Sequence, residues 1–445
     1  MRDALLLAVV AGGLLFALRH PFVGLLLWAW FSLMTPHQMA FGVFGVPLNL
    51  VIAATTIVAI LLNREVSKFR LDAVSLWLLG LCAWLFVSQA NSLDPANSAI
   101  YFDRFIKTLV FALLCAQLAT TRLRIHALLW MLVLSIGFFA AKGAVFTLAT
   151  LGQYRVQGVP LTILEDNNHL GIAIATILPM ILYLRGAATQ KWMRAALGAL
   201  FVMAILSIVG TQSRAAFISL IAFGGFFWLR SQRKLAIGAA LCLAVLPAIA
   251  FMPTKWAERM ATITSAAEDD SFMGRVDAWV INTKFALDRP LTGAGLRNPY
   301  LPELATLADP VRAPRAKAAH SIYFEVLGGA GFVGLFFYLG LLGAAFSKAH
   351  ALQRAPCQGA SELWRSRLGY FSQMSLIVFA IGGASTSLEM WDGYLLVIAL
   401  TSAASRLPDL AGAAAENSRL RRSDWRSMAR GGPPRVRPPA LTSPI

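Results

Sequence analysis

The chain has 445 residues, of which 58% are hydrophobic and only 14% charged, and its mean hydropathy is +0.65. A soluble domain of this length needs no such apolar content for its core, so lipid is the solvent for much of the chain. The formal net charge of +17 does not point to nucleic acid, because Lys and Arg gather in short loops between apolar runs, the distribution that orients a protein in a membrane.

Apolar runs occupy residues 4–18, 21–34, 48–63, 71–90, 101–119, 127–150, 169–184, 195–209, 215–229, 235–252, 320–345, 369–388 and 393–405. They do not alternate as barrel strands would, so the fold class expected is all-α: a polytopic helical membrane protein with twelve or thirteen spans. The first two runs fall short of the roughly 20 residues a span needs and read equally as a short hairpin, which leaves the side of the N-terminus open. The opening run has no small-residue cleavage site and is read as retained. Cys82, Cys115 and Cys242 lie in apolar runs and Cys357 in a basic loop, so neither a disulfide framework nor a metal-binding pair is suggested.

Basic connections recur at 64–70, 122–126, 185–194, 230–234 and 348–367, and the short connections between them are nearly free of Lys and Arg. The positive-inside rule makes those five loops cytoplasmic. Residues 1–405 read as one membrane domain, and residues 406–445, rich in Arg and Pro, as a disordered cytoplasmic tail. The long connection 253–319 falls outside by parity, and a loop of that size is translocated whatever its charge. Within it, GRVDAWVINTKFA (Gly274 to Ala286) has helical spacing and ends before Pro290, Gly293 and Gly295, which suggests an amphipathic helix lying over a substrate cavity.

Three outward-to-inward runs open with polar clusters at the external face: Glu165 to His169, Thr211 to Arg214, and Lys317 with His320. A helix N-terminus presents unpaired N–H groups and about half a positive charge, so with an added Arg it suits phosphate oxygens. Arg214 sits on a tight turn between two apolar runs and reads either as a phosphate ligand or as an interfacial side chain reaching lipid headgroups. Arg275 reads either as part of a site or as a solvated loop charge. His320 is either a helix-end polar group or a proton acceptor for a sugar hydroxyl. Glu325 would be an intramembrane carboxylate and needs a cavity or a partner. Lys142 and Arg155 flank an external loop and could join a basic pocket; Asp166 and Arg289 are further candidates, and Glu389 and Asp392 read as a solvated turn. No Gly-rich phosphate loop and no metal-spaced cluster is visible, so no cofactor is expected.

The stretches TQSRAAFISL (Thr211 to Leu220), GRVDAWVINTKFALDRPLTGAGL (Gly274 to Leu296) and AHSIYFEVLGGAGFVGL (Ala319 to Leu335) resemble, in order and spacing, the blocks of the bacterial O-antigen ligase and polymerase superfamily. HPFVGLLLWAWFSLMTPH (His20 to His37) is similar to the branch of exosortase-associated O-glycosylation ligases. The resemblance implies an inverting, metal-independent glycosyltransferase of the bacterial inner membrane. It would use a polysaccharide on undecaprenyl diphosphate as donor and lipid A-core as acceptor on the periplasmic face, with Arg214 and Arg275 on the diphosphate and His320 as general base. In many relatives that His is followed by Asn, where Ser321 stands here. An O-antigen polymerase and a protein O-oligosaccharyltransferase share the pattern. From another class, a lipid or sugar transporter would call for internal repeats and helices broken near the midplane.

Overall fold

The computed structural model describes residues 2–232, 234–235, 270–316, 318–355 and 362–407. Among these residues the chain is helical and has no strand. In order the helices are α1 (Arg2–Arg19), α2 (Pro21–Met34), α3 (Leu48–Leu62), α4 (Ala73–Ala90), α5 (Pro95–Leu118), α6 (Arg122–Ala149), α7 (Asn167–Ala187), α8 (Lys191–Gly210) and α9 (Arg214–Arg230). They continue as α10 (Asp270–Asp288), α11 (Pro302–Ala308), α12 (Ile322–Arg354), α13 (Leu363–Gly383) and α14 (Asp392–Arg406). Twelve of the thirteen apolar runs each fall on one of these helices. All of the run 235–252 after its first residue, residues 253–269, Lys317 and the tail beyond 407 lie outside the described residues.

The expected all-α, polytopic membrane fold is the one observed. Helices α4, α6, α7, α8 and α12 are long and apolar enough to cross a membrane, and α2 and α3 are shorter apolar helices. Some helices outrun their apolar segments because polar caps fix their ends. Helix α5 begins six residues before residue 101 because the Asp94 carboxylate accepts from the backbone N–H groups of Ala96 and Asn97, both at 3.0 Å. Hydropathy sees only the lipid-embedded middle of such a helix.

Helix α7 is the centre of the bundle: 78% of its apolar window is buried, against 33% for α4 and α8 at the periphery. It packs on α6, α8, α9 and α13, and α13 in turn joins it to α12 and α14. Close approach depends on small residues, as is usual between membrane helices. A Cβ on Gly171 would come within 2.5 Å of the Ala216 Cβ, so glycine there sets how near α7 and α9 lie.

Helix α12 is interrupted at Gly331, whose φ of 72° and ψ of −174° are reached essentially by glycine alone. Several of the backbone groups freed by the break find partners outside the helix. Phe332 N–H donates to Pro290 O at 2.8 Å, Gly328 O accepts from Ala294 N–H at 2.9 Å, and Gly329 O accepts from Gly295 N–H at 3.0 Å. The Ser88 hydroxyl donates to Gly329 O at 3.0 Å and the Trp84 indole to Ala330 O at 3.0 Å. The segment that follows α10 is therefore fused, backbone to backbone, into the broken helix. Irregular backbone at membrane depth is tolerated where protein buries it in this way.

Candidate functional site at the heads of helices α7, α9 and α12

Asp166 caps α7, accepting from the Asn168 N–H at 2.8 Å and the Asn168 side-chain amide at 2.9 Å. Burial pushes its carboxyl pKa up, but the neighbouring His169 and these hydrogen bonds together hold it below the usual value. The first turn of α7 is bonded to the α8–α9 turn. Asn167 donates to Thr211 O at 2.8 Å, and the Ser213 hydroxyl donates to Asn168 Oδ1 at 2.7 Å while accepting from Ala216 N–H at 3.1 Å as the cap of α9. Arg214, half-buried, is the first residue of that capped helix.

The α12 head meets the same place from the other side. The His320 ring lies edge-on to the His169 ring with centroids 6.3 Å apart. His320 turns the chain into α12 with φ of +45°, a left-handed conformation that is costly for histidine and is held by its neighbours. On one side, Ala319 O accepts from the Trp279 indole at 2.7 Å and Ala319 N–H donates to the Tyr300 hydroxyl at 3.2 Å. Trp279 lies one turn beyond Arg275 on α10, so this bond places Arg275 beside His320. Burial first, and then the Arg275 charge, lower the His320 pKa to about 4. The imidazole is therefore neutral at physiological pH, with a lone pair available.

Arg297 went unnoticed in the sequence and forms the floor of the site. It pairs with Glu325 at 3.2 Å and Glu389 at 2.5 Å, donates to the Tyr300 hydroxyl at 3.0 Å, and stacks over the Tyr101 and Tyr300 rings. Glu325 thus has the partner that an intramembrane carboxylate requires, and it also accepts from the Ser387 hydroxyl at 2.6 Å. The expectation of a solvated turn at Glu389 is wrong: its side chain is 1% exposed because it closes the Arg297 pair. Arg289 stands apart from this cluster. It donates to Gly293 O at 2.9 Å and Asn91 O at 2.5 Å, stapling the segment docked on α12.

Above Arg297 lies a cavity of about 490 Å³, lined by Tyr101, Arg104, Asp166, His169 and Ser387 among others. A second cavity of about 430 Å³ brings Lys142 and Arg155 together against Phe139, Phe146, Val159 and Pro160. Gln157 lines both, so the polar recess and the half-apolar one adjoin. Among the described residues no group of three or more His, Cys, Asp or Glu is arranged to hold a metal ion. Sequence reasoning also passed over Arg104 and gave His169 only as a member of a polar cluster. An Arg inside the run 101–119 was the available signal, since an arginine among apolar residues needs a reason.

Residues 199–339 match the family model described as O-antigen ligase. The chain carries an O-antigen ligase family domain. Arg214, Arg275, Arg297, His320 and Glu325 all fall within it, and the reaction class of the family is glycosyl transfer of the ligase or polymerase type. Residues 1–189 match a family of unknown function, and this segment supplies Lys142, Arg155, Asp166 and His169. No curated protein matches the chain.

Proposed function

We propose that this O-antigen ligase family chain transfers a polysaccharide from undecaprenyl diphosphate to a hydroxyl of lipid A-core, on the periplasmic face of the bacterial inner membrane. The observation that supports the proposal is a half-buried, neutral His320 set beside Arg275 and against His169 at the head of α7, which is itself bonded to the capped start of α9 where Arg214 stands. Outside the inner membrane a donor must bring its own leaving group, and a diphosphate does so.

In this reading Arg214 and Arg275 bind the diphosphate oxygens and His320 takes the proton from the acceptor hydroxyl. The acceptor oxygen then attacks the anomeric carbon from the face opposite the diphosphate. The anomeric C–O bond breaks, its electron pair leaves with undecaprenyl diphosphate, and the configuration inverts. General-base catalysis contributes about 10²–10⁴ in rate, and charge neutralisation with positioning supplies much of the rest. The cavity with Lys142 and Arg155 suits a lipid carrier, since its lining combines these two cations with Phe139 and Phe146.

The transporter reading is disfavoured by the packing of α12. Its break is filled by the backbone of residues 290–295 instead of opening onto a transport path. The deciding experiment is deletion of the gene followed by lipopolysaccharide gels. Full-length unattached O-antigen supports the ligase; a single-repeat product would point to a polymerase, and unchanged lipopolysaccharide to a protein or another glycan as acceptor.

A further inference from the structure

His169 carries a feature that the reading above does not use. Its Nδ1 lies 2.7 Å from Ile163 O, and a carbonyl oxygen can only accept, so Nδ1 bears the proton and Nε2 bears the lone pair. That Nε2 is buried and has no hydrogen-bond partner among the described residues. On the neighbouring His320 ring, Nδ1 is likewise buried and without a partner among the described residues. An orphaned acceptor and a potential donor thus sit on neighbouring rings, each at a cost that a mutual bond would remove. Two imidazoles bonded nitrogen to nitrogen have ring centres roughly 5 Å apart, so the observed 6.3 Å leaves a gap of about 1 Å for side-chain rotation to close.

We propose that His169 is a positioning residue for His320: its Nε2 accepts from His320 Nδ1–H, fixing the tautomer that turns the His320 Nε2 lone pair toward the acceptor hydroxyl. The inference rests on the reading of His320 as the base. When His320 Nε2 takes the acceptor proton, the imidazolium keeps its Nδ1 proton in the bond to His169, and Ile163 O holds His169 in register. No proton need pass beyond His320 within the step. It returns to solvent once undecaprenyl diphosphate has left. The groups that face His320 are Arg275 from α10, Arg297 from the loop before α11, and Asp166 and His169 from α7. Of these, His169 has an unused acceptor. The pair also spans the two matched segments, with His169 from the N-terminal family of unknown function and His320 from the ligase domain, which gives the N-terminal segment a part in the chemistry.

The two bonds of His169 can be separated by substitution in the full-length protein. His169→Gln places an amide near the Nε2 position and can still accept from His320, whereas His169→Asn places its amide near Nδ1 and keeps only the bond to Ile163. Turnover is measured in detergent with undecaprenyl-diphosphate-linked polysaccharide as donor and lipid A-core as acceptor, normalised to monodisperse protein. We expect His169→Gln to stay within about tenfold of wild-type kcat and His169→Asn to lose about 10²-fold, with KM for both substrates unchanged. The acid limb of the pH profile should also move in His169→Gln, since the amide holds the imidazolium differently.

The reverse order, Asn near wild type and Gln impaired, would mean that His169 only anchors Ile163 and would overturn the proposal. Wild-type turnover and pH profile in both variants would overturn it as well. His320→Ala keeps the two hypotheses apart. If it is inactive while His169→Asn is fully active, the positioning role alone fails; if it is fully active, the base assignment fails and takes the positioning role with it.

Discussion

The Ser213 hydroxyl donates to Asn168 Oδ1 at 2.7 Å, so the residue that caps α9 is bonded to the first turn of α7. Arg214 follows directly, and its backbone position is set by both helices. On the reading proposed above, Arg214→Ala and Arg275→Ala raise the donor KM and lower kcat while leaving acceptor KM unchanged. Lys at either position restores activity only in part, because an ammonium cannot make the bidentate contact of a guanidinium. Steady-state kinetics with donor and acceptor varied separately checks this. An Ala variant with wild-type turnover at limiting donor would take that Arg out of the site.

The pH behaviour follows from the low His320 pKa. Because burial and Arg275 hold it near 4, the base is already deprotonated at neutral pH, and kcat/KM should stay flat from about pH 8 to pH 5 and fall only as pH approaches 4. His320→Gln should lose about 10²–10⁴ in kcat and flatten the acid limb. Stability follows the same group. The unfolded chain binds a proton at this His near pH 6.5 and the folded chain does so only near 4, so this contribution to stability falls as pH drops through that window. Thermal unfolding of wild type and His320→Gln, compared between pH 7 and pH 4, measures the difference.

Arg297 is the ion-pair hub beneath the site. Its guanidinium satisfies two buried carboxylates, so Arg297→Ala should destabilise the folded protein by about 3–5 kcal/mol through the charges left unpaired. Adding Glu325→Gln and Glu389→Gln to that variant should recover part of the loss, since those carboxylates then no longer need a cation. A denaturation series of the single and triple variants decides the point, and equal stability of Arg297→Ala and wild type would remove the hub from the account.

Gly331→Ala offers a purely steric test. A Cβ there would stand 2.2 Å from Leu291 O, in a backbone conformation closed to alanine, and should cost at least about 1–3 kcal/mol. The expected sign is a lower unfolding midpoint together with proteolytic opening near residues 290–295, read by limited digestion and mass spectrometry.

The sidedness proposed for the site is tested by single-cysteine labelling in spheroplasts with an impermeant reagent. Positions 166 and 275 should react and positions 64, 185 and 230 should be protected, following the alternation of basic and charge-poor loops. Protection at 275 with reaction at 230 would reverse the orientation.

The helices were legible in the sequence because lipid leaves the backbone few choices, and the apolar runs located their lipid-embedded middles, though α5 and α13 begin six residues before their runs and α12 ends nine residues after its own. The heads of α7, α9 and α12 were legible too, because polar clusters ahead of apolar runs mark helix starts. What escaped was pairing across the fold. Glu325 announced that it needed a partner, but Arg297 lies in a turn between Gly295 and Pro299 whose docking is set by backbone hydrogen bonds, which leave no periodic trace. Glu389 looked solvated because a short polar turn between two spans ordinarily is. His169 was visible only as one of five polar residues. The bond to Ile163 that fixes its tautomer comes from a loop without pattern, and its nearness to His320 depends on how α7 and α12 meet.

The seam between residues 290–295 and the broken helix is made of main-chain atoms, and main-chain atoms are the same in every residue but proline. Such a seam asks for glycine at a few points and is indifferent to the side chains displayed beyond it. Residues from Pro302 to Val311 hang from this anchorage, with Glu303, Thr306, Leu307 and Val311 exposed. Substitutions on that outward surface can accumulate without disturbing His320 or Arg297. The fold thereby separates a fixed floor around Arg297 from an outward surface whose side chains are free to change.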